Sequence, residues 1–356
     1  MKVLFLTKYA HNGASSRYRI FQYLPWLEQT GIHCQVMPLF NEVYLIHRYQ
    51  SGHGYIRDIL RAFLHRLVVL ITARRFDLVV LEKEIFPYFP ALPERLLGVP
   101  YIVDYDDALF HQYDKHRSWW VRHLLGRKIA HVMQGAQLVI AGNDYLADYA
   151  RRAGAARVEI IPTVIDLEKY SPAFVTHRSS APFTIGWIGS PSTAKYLQTI
   201  APALAEVCAG GNGVVRLIGS GQIHLPGVPV EVLPWDETTE INELKQFDVG
   251  IMPLPDESWE RGKCGFKLIQ YMACGLPVVA SPVGVNSKIV EQGVNGYLAE
   301  TPAEWIQSLN ALLLDVDQRK RMGQAGRKKV EQGYSLQMTG PRLAGLIRSA
   351  VESAKE

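Results

Sequence analysis

Three short stretches of the chain concentrate residues suited to a highly negative ligand. The first is RGKCGFKLIQYMACGLPVVAS (residues 261–281), in which Lys263 opens an expected helix through Met272 and Lys267 follows in its first turns. A helix N-terminus carries partial positive charge and unpaired N–H groups, so lysines there suit a phosphate. The second is GWIGSPSTAK (186–195), where Ser192 or Thr193 is placed to cap a helix and Lys195 falls in its first turn. A cation there opposes the helix dipole, which a diphosphate partner explains; a solvated lysine is the plainer alternative. The third is KYAHNGASSR (8–17), where Gly13, Ala14, Ser15 and Ser16 mark a strand-to-helix turn. Its backbone N–H groups are expected to be open to an anion or a sugar, although many such turns bind nothing.

Carboxylates gather elsewhere. YIVDYDDALF places Asp104, Asp106 and Asp107 at the C-terminal end of an expected strand, where ligands of open α/β sheets collect. Three readings stand: contact with sugar or acceptor hydroxyls, a cap on the following helix, or an Asp-x-Asp metal site under a diphosphate. Their position in the first half, away from the lysines, favours the first and argues against a metal. Glu82-Lys83-Glu84, also at a strand end, reads either as cleft lining or as a solvated run of charge.

Residues so placed require strands that end, and helices that begin, along one edge of a sheet. Short Val- and Ile-rich runs supply the strands. In the first half they are 3–7, 34–38, 78–81, 101–105, 138–141 and 159–162; in the second, 184–188, 214–218, 230–233, 249–253, 278–280 and 296–299. They are apolar throughout rather than alternating, as in parallel strands buried on both faces. Amphipathic segments such as 17–29, 194–209 and 303–314 lie between them. The pattern predicts an α/β fold with two Rossmann-like, doubly wound parallel-sheet domains. Residues 173–182 are polar and aperiodic. The expected organisation is therefore a first domain over 1–170, a linker over 171–182, a second domain over 183–338, and a helix over 339–356 packing back on the first domain. At 356 residues the chain exceeds what one core usually supports.

Composition narrows the class. Apolar residues make up 48% and charged residues 20%, ordinary for a globular protein. Cys34, Cys208, Cys264 and Cys274 are scattered without a Cys-x-x-Cys pair, which argues against structural zinc or a disulfide framework and for a reducing, cytoplasmic setting. MKVLFLT reads as a strand rather than a secretion signal. The net charge of +4 is uneven: residues 1–173 hold 21 Lys+Arg against 16 Asp+Glu, the remainder 17 against 18. Residues 43–75 carry six arginines, Arg57, Arg61 and Arg66 among them, and one aspartate, interleaved with Tyr49, Tyr55, Ile59, Leu60, Phe63 and Leu64. KHRSWWVRHLLGRK (115–128) adds Trp119, Trp120 and Arg122 without an acid. Such stretches suit an anionic lipid surface; the alternative is a surface helix whose aromatics enter the core. No known nucleic-acid motif accompanies the charge, so no nucleic-acid partner is expected.

The 261–281 stretch resembles the donor-binding signature of glycosyltransferase family 4, the retaining group-1 enzymes of GT-B fold. There a helix carries a Glu-x7-Glu pair and ends in M-A-C/A-G-x-P-V-V. VEIIPTVIDLEKYSP, GWIGSPSTAK, VVRLIGSG and FDVGIMPLPDE resemble further family segments in the expected order. The resemblance implies a metal-independent, cofactor-free hexosyltransferase-like enzyme that takes a nucleotide-diphosphate sugar. The implied acceptor is a glycan or lipid-linked molecule of surface polysaccharide or glycolipid synthesis, met at the inner face of a membrane. It implies donor contacts at Gly13, Ala14, Gly189, Ser190, Lys195, Gly262, Lys263, Gly265, Phe266, Lys267 and Gln270. Catalytic roles fall on Asp106, Lys195 and Lys263, and acceptor or sugar contacts on Asp104, Asp106 and Asp107. There are departures. Gln270 stands at the second glutamate and Gly262 at the first, with Glu260 two residues out of register. Ser190 replaces an arginine, and Asp106 falls where a histidine is common. A nucleotide-sugar epimerase and a catalytically weak partner subunit of the same fold are the alternatives.

Overall fold

The computed structural model describes residues 1–51, 55–170 and 182–354, so the expected linker lies, apart from Pro182, outside the described residues, as does the side chain of Tyr49. The chain divides into two compact units. Unit 1 comprises Met1–Thr163, Arg261–Cys264 and Leu336–Glu356; unit 2 comprises Val164–Glu260 and Gly265–Ser335.

All twelve expected strands form. Unit 1 contains β1 (Lys2–Tyr9), β2 (His33–Phe40), β3 (Leu78–Glu82), β4 (Tyr101–Tyr105), β5 (Leu138–Ala141) and β6 (Val158–Ile160), ordered β2-β1-β3-β4-β5-β6 and parallel throughout. Unit 2 contains β7 (Phe183–Ile188), β8 (Gly213–Ile218), β9 (Val230–Leu233), β10 (Val249–Met252), β11 (Val278–Ala280) and β12 (Gly296–Leu298), ordered β12-β11-β10-β7-β8-β9, again parallel. Central strands such as β3 and β4 are buried at every residue, which is why their sequences do not alternate. The strand order reverses between β1 and β3 in unit 1 and between β7 and β10 in unit 2. Crevices for ligands open at the carboxyl ends of such strands.

Three local features differ from the sequence reading. Residues 164–170 belong to unit 2 rather than to the first domain, because Ile165 N–H donates to Tyr334 O at 3.2 Å and Tyr170 is buried in the unit 2 core. The helix expected from Lys263 is Phe266–Ala273: Gly265 takes a left-handed φ of 64° and breaks the path before it. Its far end is as expected, with Gly275 at φ 77° and Leu276 N–H donating to Tyr271 O at 3.0 Å. Finally, Pro191 starts a one-turn helix, Pro191–Ala194, at once. Lys195 therefore follows that helix and opens the 3-10 segment Lys195–Ile200, and neither Ser192 nor Thr193 is the N-cap.

In unit 1 the helix Leu336–Ser353 lies against Trp26 at Gly340, where an added methyl would meet the indole at 3.0 Å. Tyr23 and Thr339 hydroxyls pair at 2.8 Å, and Arg342 reaches Glu159 at 2.8 Å. Helix Ile56–Thr72 packs Ile59, Ala62 and Phe63 on the buried Leu39, Phe40 and Tyr44. Arg66 shares that inward face. It is 2% exposed and donates to Thr7 O at 2.7 Å, and burial pulls its guanidinium down to about 9, still cationic at neutral pH. Arg66 is therefore not a surface residue, contrary to the reading of the 43–75 cluster. Among the described residues no helix is long and apolar enough to cross a membrane.

Candidate active site

In unit 1 the carboxyl ends of β1, β3 and β4 converge on a network of buried charges. Glu82, Lys83 and Glu84 are 0%, 6% and 5% exposed, so the run is not solvated. Lys83 has φ 70°, and Glu84 N–H donates to Glu82 O at 3.0 Å, which closes a γ-turn around the lysine. The turn sends three consecutive side chains to three different partners. Glu82 accepts from Ser16 Oγ at 2.6 Å and Lys8 N–H at 2.9 Å, and lies 3.0 Å from Ser15 Oγ. Glu84 accepts from the Lys128 ammonium and from Tyr113 Oη at 2.7 Å. Lys83 Nζ stands 2.9 Å from Asp106 and 3.6 Å from Asp107.

The three aspartates consequently differ. Asp104 is 4% exposed and takes a two-pronged contact from Arg19, at 2.9 and 2.5 Å, so it closes a buried ion pair rather than facing an acceptor. Burial pushes its carboxyl above the ordinary range even so, and Arg19 opposes the shift. Burial acts on Asp106 in the same direction, but Lys83 and the Ser15 hydroxyl, which donates at 2.5 Å, outweigh it and hold Asp106 at about 2. Asp107 is the most open, with its side chain 31% exposed. The carboxylates of Asp104 and Asp106 thus serve different cations of the chain, and among the described residues no group of three His, Cys, Asp or Glu is arranged to hold a metal.

The 261–264 segment is built into this same unit. Asn143 Nδ2 donates to Gly262 O at 2.9 Å and to Lys263 O at 3.0 Å; Cys264 Sγ donates to Asp106 O at 3.1 Å. Lys263 Nζ is 3.9 Å from Asp107. Lys263 is therefore not on the helix that follows, and its charge faces an aspartate of unit 1. Gly262 has a steric reason: an added methyl would stand 2.5 Å from Ala108 Cβ and 2.9 Å from Ala108 N. A glutamate cannot occupy that position in this packing. Gly13 is constrained in the same way by Tyr9 Cβ at 2.5 Å, and its N–H donates to Ala10 O at 3.0 Å, so that amide is not open as expected. Ala14 begins the six-residue helix Ala14–Arg19.

Unit 2 brings the glycine turn after β7 against the helix Phe266–Ala273. A methyl added at Gly189 would lie 2.9 Å from Lys267 Cε and 2.6 Å from the Trp187 indole. Lys267 Nζ sits 5.2 Å from the centre of the Trp187 ring. Gly219, at the end of β8, closes in on the same turn, with 2.6 Å between its hypothetical methyl and Gly189 O. Ser190 Oγ and Ser192 Oγ pair at 2.9 Å. Lys195 is exposed, its ammonium 5.3 Å from the Tyr196 ring centre. Gln270, by contrast, is 4% exposed. Its amide donates to Glu240 at 2.9 Å and to Tyr170 Oη at 3.1 Å, while Glu240 also accepts from Tyr170 at 2.8 Å and Trp235 at 2.5 Å. Glu260 is buried and accepts from Tyr196 Oη. Of these partners, Asn143 and Glu240 were not singled out in the sequence; Ser15 and Ser16 were marked there for their backbone N–H groups rather than their hydroxyls, and Lys83 as part of a run that lines a cleft or is solvated.

Comparison with known proteins agrees with this architecture. Residues 18–163 match the glycosyl transferase 4-like domain, and residues 182–315 match glycosyl transferases group 1. The chain belongs to the group 1 glycosyltransferases and has their GT-B fold of two doubly wound α/β domains. It is 30% identical over 154 residues to the D-inositol 3-phosphate glycosyltransferase of Geodermatophilus obscurus, covering 43% of this chain and 30% of that one. With the Corynebacterium jeikeium protein of the same name it shares 26% over 226 residues, 55% of this chain and 51% of the other. The chain thus spans about half the length, or less, of these curated relatives. Among solved structures, sucrose-phosphate synthase from Thermosynechococcus elongatus superposes with a TM-score of 0.72 at 15% identity, over 99% of this chain and 100% of the other. Anabaena HepE in complex with UDP-glucose superposes at 0.70 with 18% identity, over 98% and 100%.

Proposed function

We propose that this chain transfers a hexose-like sugar from a nucleotide-diphosphate sugar to a glycan or lipid-linked acceptor, with retention at the anomeric carbon. One observation carries the donor assignment: within unit 2, Lys267 abuts the Gly189 turn at the carboxyl end of β7, beside the point where strand order reverses. A small-residue turn and a cation meeting there suit a diphosphate, with exposed Lys195 as a second positive charge nearby in sequence. The two lysines stabilise the nucleoside diphosphate as it leaves, in the place a divalent metal takes in other transferases. The UDP and UDP-glucose complexes of Anabaena HepE support a nucleotide sugar as donor. Retention rests on the family resemblance, as does a place in surface polysaccharide or glycolipid synthesis on the cytoplasmic side of a membrane. Asp107, the most open carboxylate of its network, and Asp106 beside it are the acceptor-side residues of this reading.

A second reading, a catalytically weak partner subunit, is favoured by Gly262, which leaves no room for the first family glutamate. The test is melting-temperature screening against UDP-, GDP-, ADP- and dTDP-sugars, because a ligand that binds only the folded chain raises stability by mass action. Turnover of the stabilising donor is then followed in chelator. Stabilisation with turnover in chelator supports the transferase. Stabilisation without turnover under any condition supports the partner subunit, free epimerised donor supports an epimerase, and turnover that needs added magnesium or manganese removes the lysine assignment.

A further inference from the structure

Of the nineteen large apolar side chains exposed among the described residues, fifteen lie between Val43 and Leu124. Helix Ile56–Thr72 contributes Ile56, Leu60, Leu64, Leu67, Val68 and Ile71, 49–79% exposed and repeating at the helical period. Its opposite face is already spent on the core through Ile59, Ala62 and Phe63. A helix apolar on both faces has an environment to match on both. Ring contacts beneath this surface tie the helix to the next exposed aromatics. Phe63, on the inner face, and the buried Phe86 are 4.9 Å apart, Phe86 and the exposed Phe89 6.2 Å, and His116 and the exposed Tyr88 6.0 Å. Helix Trp119–Leu125 follows, its two tryptophans 54% and 66% exposed.

We propose that this face of unit 1 docks on an anionic lipid bilayer. Charge decides the occupant. Arg57, Arg61, Arg74, Arg75, Arg95 and Arg122 are exposed in the same span, whereas Glu82, Glu84 and Glu94 are buried, Asp58, the helix's own acid, is half-buried, and Asp77, which accepts from the Lys2 N–H, is the one exposed acid among the described residues of the span. A second copy would set these cations against themselves across a two-fold interface, while anionic headgroups complement them. Arginine stems lie along apolar surface with their heads in the phosphate layer, and tryptophan favours that interfacial depth. Attachment is interfacial and reversible, as expected for an amphipathic surface with no spanning helix among the described residues.

The test is co-sedimentation of the full chain with phosphatidylglycerol–phosphatidylcholine vesicles and with phosphatidylcholine alone. Binding to the anionic vesicles at low salt is expected, falling about fivefold for each of Arg57→Gln and Arg61→Gln and about 25-fold for the pair. Leu64→Gln/Ile71→Gln lowers binding as well, with the melting temperature unchanged because both side chains are exposed. Equal recovery with both vesicle types, or binding undiminished in the variants, overturns the proposal. So does a concentration-dependent dimer that Leu64→Gln/Ile71→Gln abolishes, which assigns the face to a second copy. Nucleotide-sugar stabilisation of the same variants stays at wild-type level, so failure here leaves the transfer reading standing.

Discussion

Lys83 Nζ and Asp106 Oδ1 form a 2.9 Å ion pair, and the lysine makes it from a backbone conformation of positive φ that its residue type rarely adopts. Strain of this kind costs about 1–3 kcal/mol and persists only where the surroundings over-determine it. Here the surroundings are Asp106 and Asp107 on one side and the Glu82–Glu84 turn on the other. The pair therefore organises the carboxyl edge of unit 1.

Replacing Lys83 by methionine leaves Asp106 charged and deprived of its cation. We expect a loss of about 3 kcal/mol in urea unfolding, the range for breaking a buried pair from one side. Lys83→Met/Asp106→Asn should recover at least half of it. A single variant as stable as wild type removes the organising role.

Acid provides a second test. Asp106 is held at about 2, below its ordinary 3.8, so its pair stabilises the fold fully above about pH 4 and loses that contribution as pH falls toward 2. Glu82 and Asp104 are pushed the other way by burial and oppose the trend, so wild type alone is a poor gauge. The stability gap between wild type and Asp106→Asn should shrink by on the order of 2 kcal/mol between pH 5 and pH 2. A gap that does not change with pH counts against the pair.

Restoring the family's two glutamates should do harm. Gly262→Ala alone drives a methyl into Ala108 and is expected to cost about 1–3 kcal/mol; Gly262→Glu should cost more. Gln270→Glu replaces an amide donor, 2.9 Å from Glu240, with a second carboxylate, and should lower the melting temperature at pH 8 more than at pH 5. Either glutamate raising donor turnover without loss of stability would show that the packing does not dictate these departures.

The lysines of unit 2 have a direct assay. Lys195→Ala and Lys267→Ala should each weaken nucleoside diphosphate binding tenfold or more while leaving nucleoside binding nearly unchanged, since a charge-assisted hydrogen bond contributes about 1.5–3 kcal/mol. Isothermal titration with both ligands reads the difference. Equal losses for nucleoside and diphosphate would move the lysines away from the phosphates.

Periodicity and composition by themselves determined the two sheets. Strands buried on both faces must be continuously apolar, and Gly275 before Pro277 stops a helix in any context, so each could be read locally. The donor-side stretch was legible for the same reason, as glycines and lysines at strand-to-helix junctions. Which charges remained available was not. Asp104, Asp106, Lys263, Arg66 and Gln270 all read as site or surface residues, but their partners Arg19, Lys83, Asp107, the Thr7 carbonyl and Glu240 are from 23 to 156 residues away along the chain. Ion pairs and hydrogen bonds act over a few ångströms in space, and only the packed chain sets those distances. Tertiary structure likewise decided which face of helix Ile56–Thr72 is covered, because both faces are apolar and the helical period alone cannot choose between them.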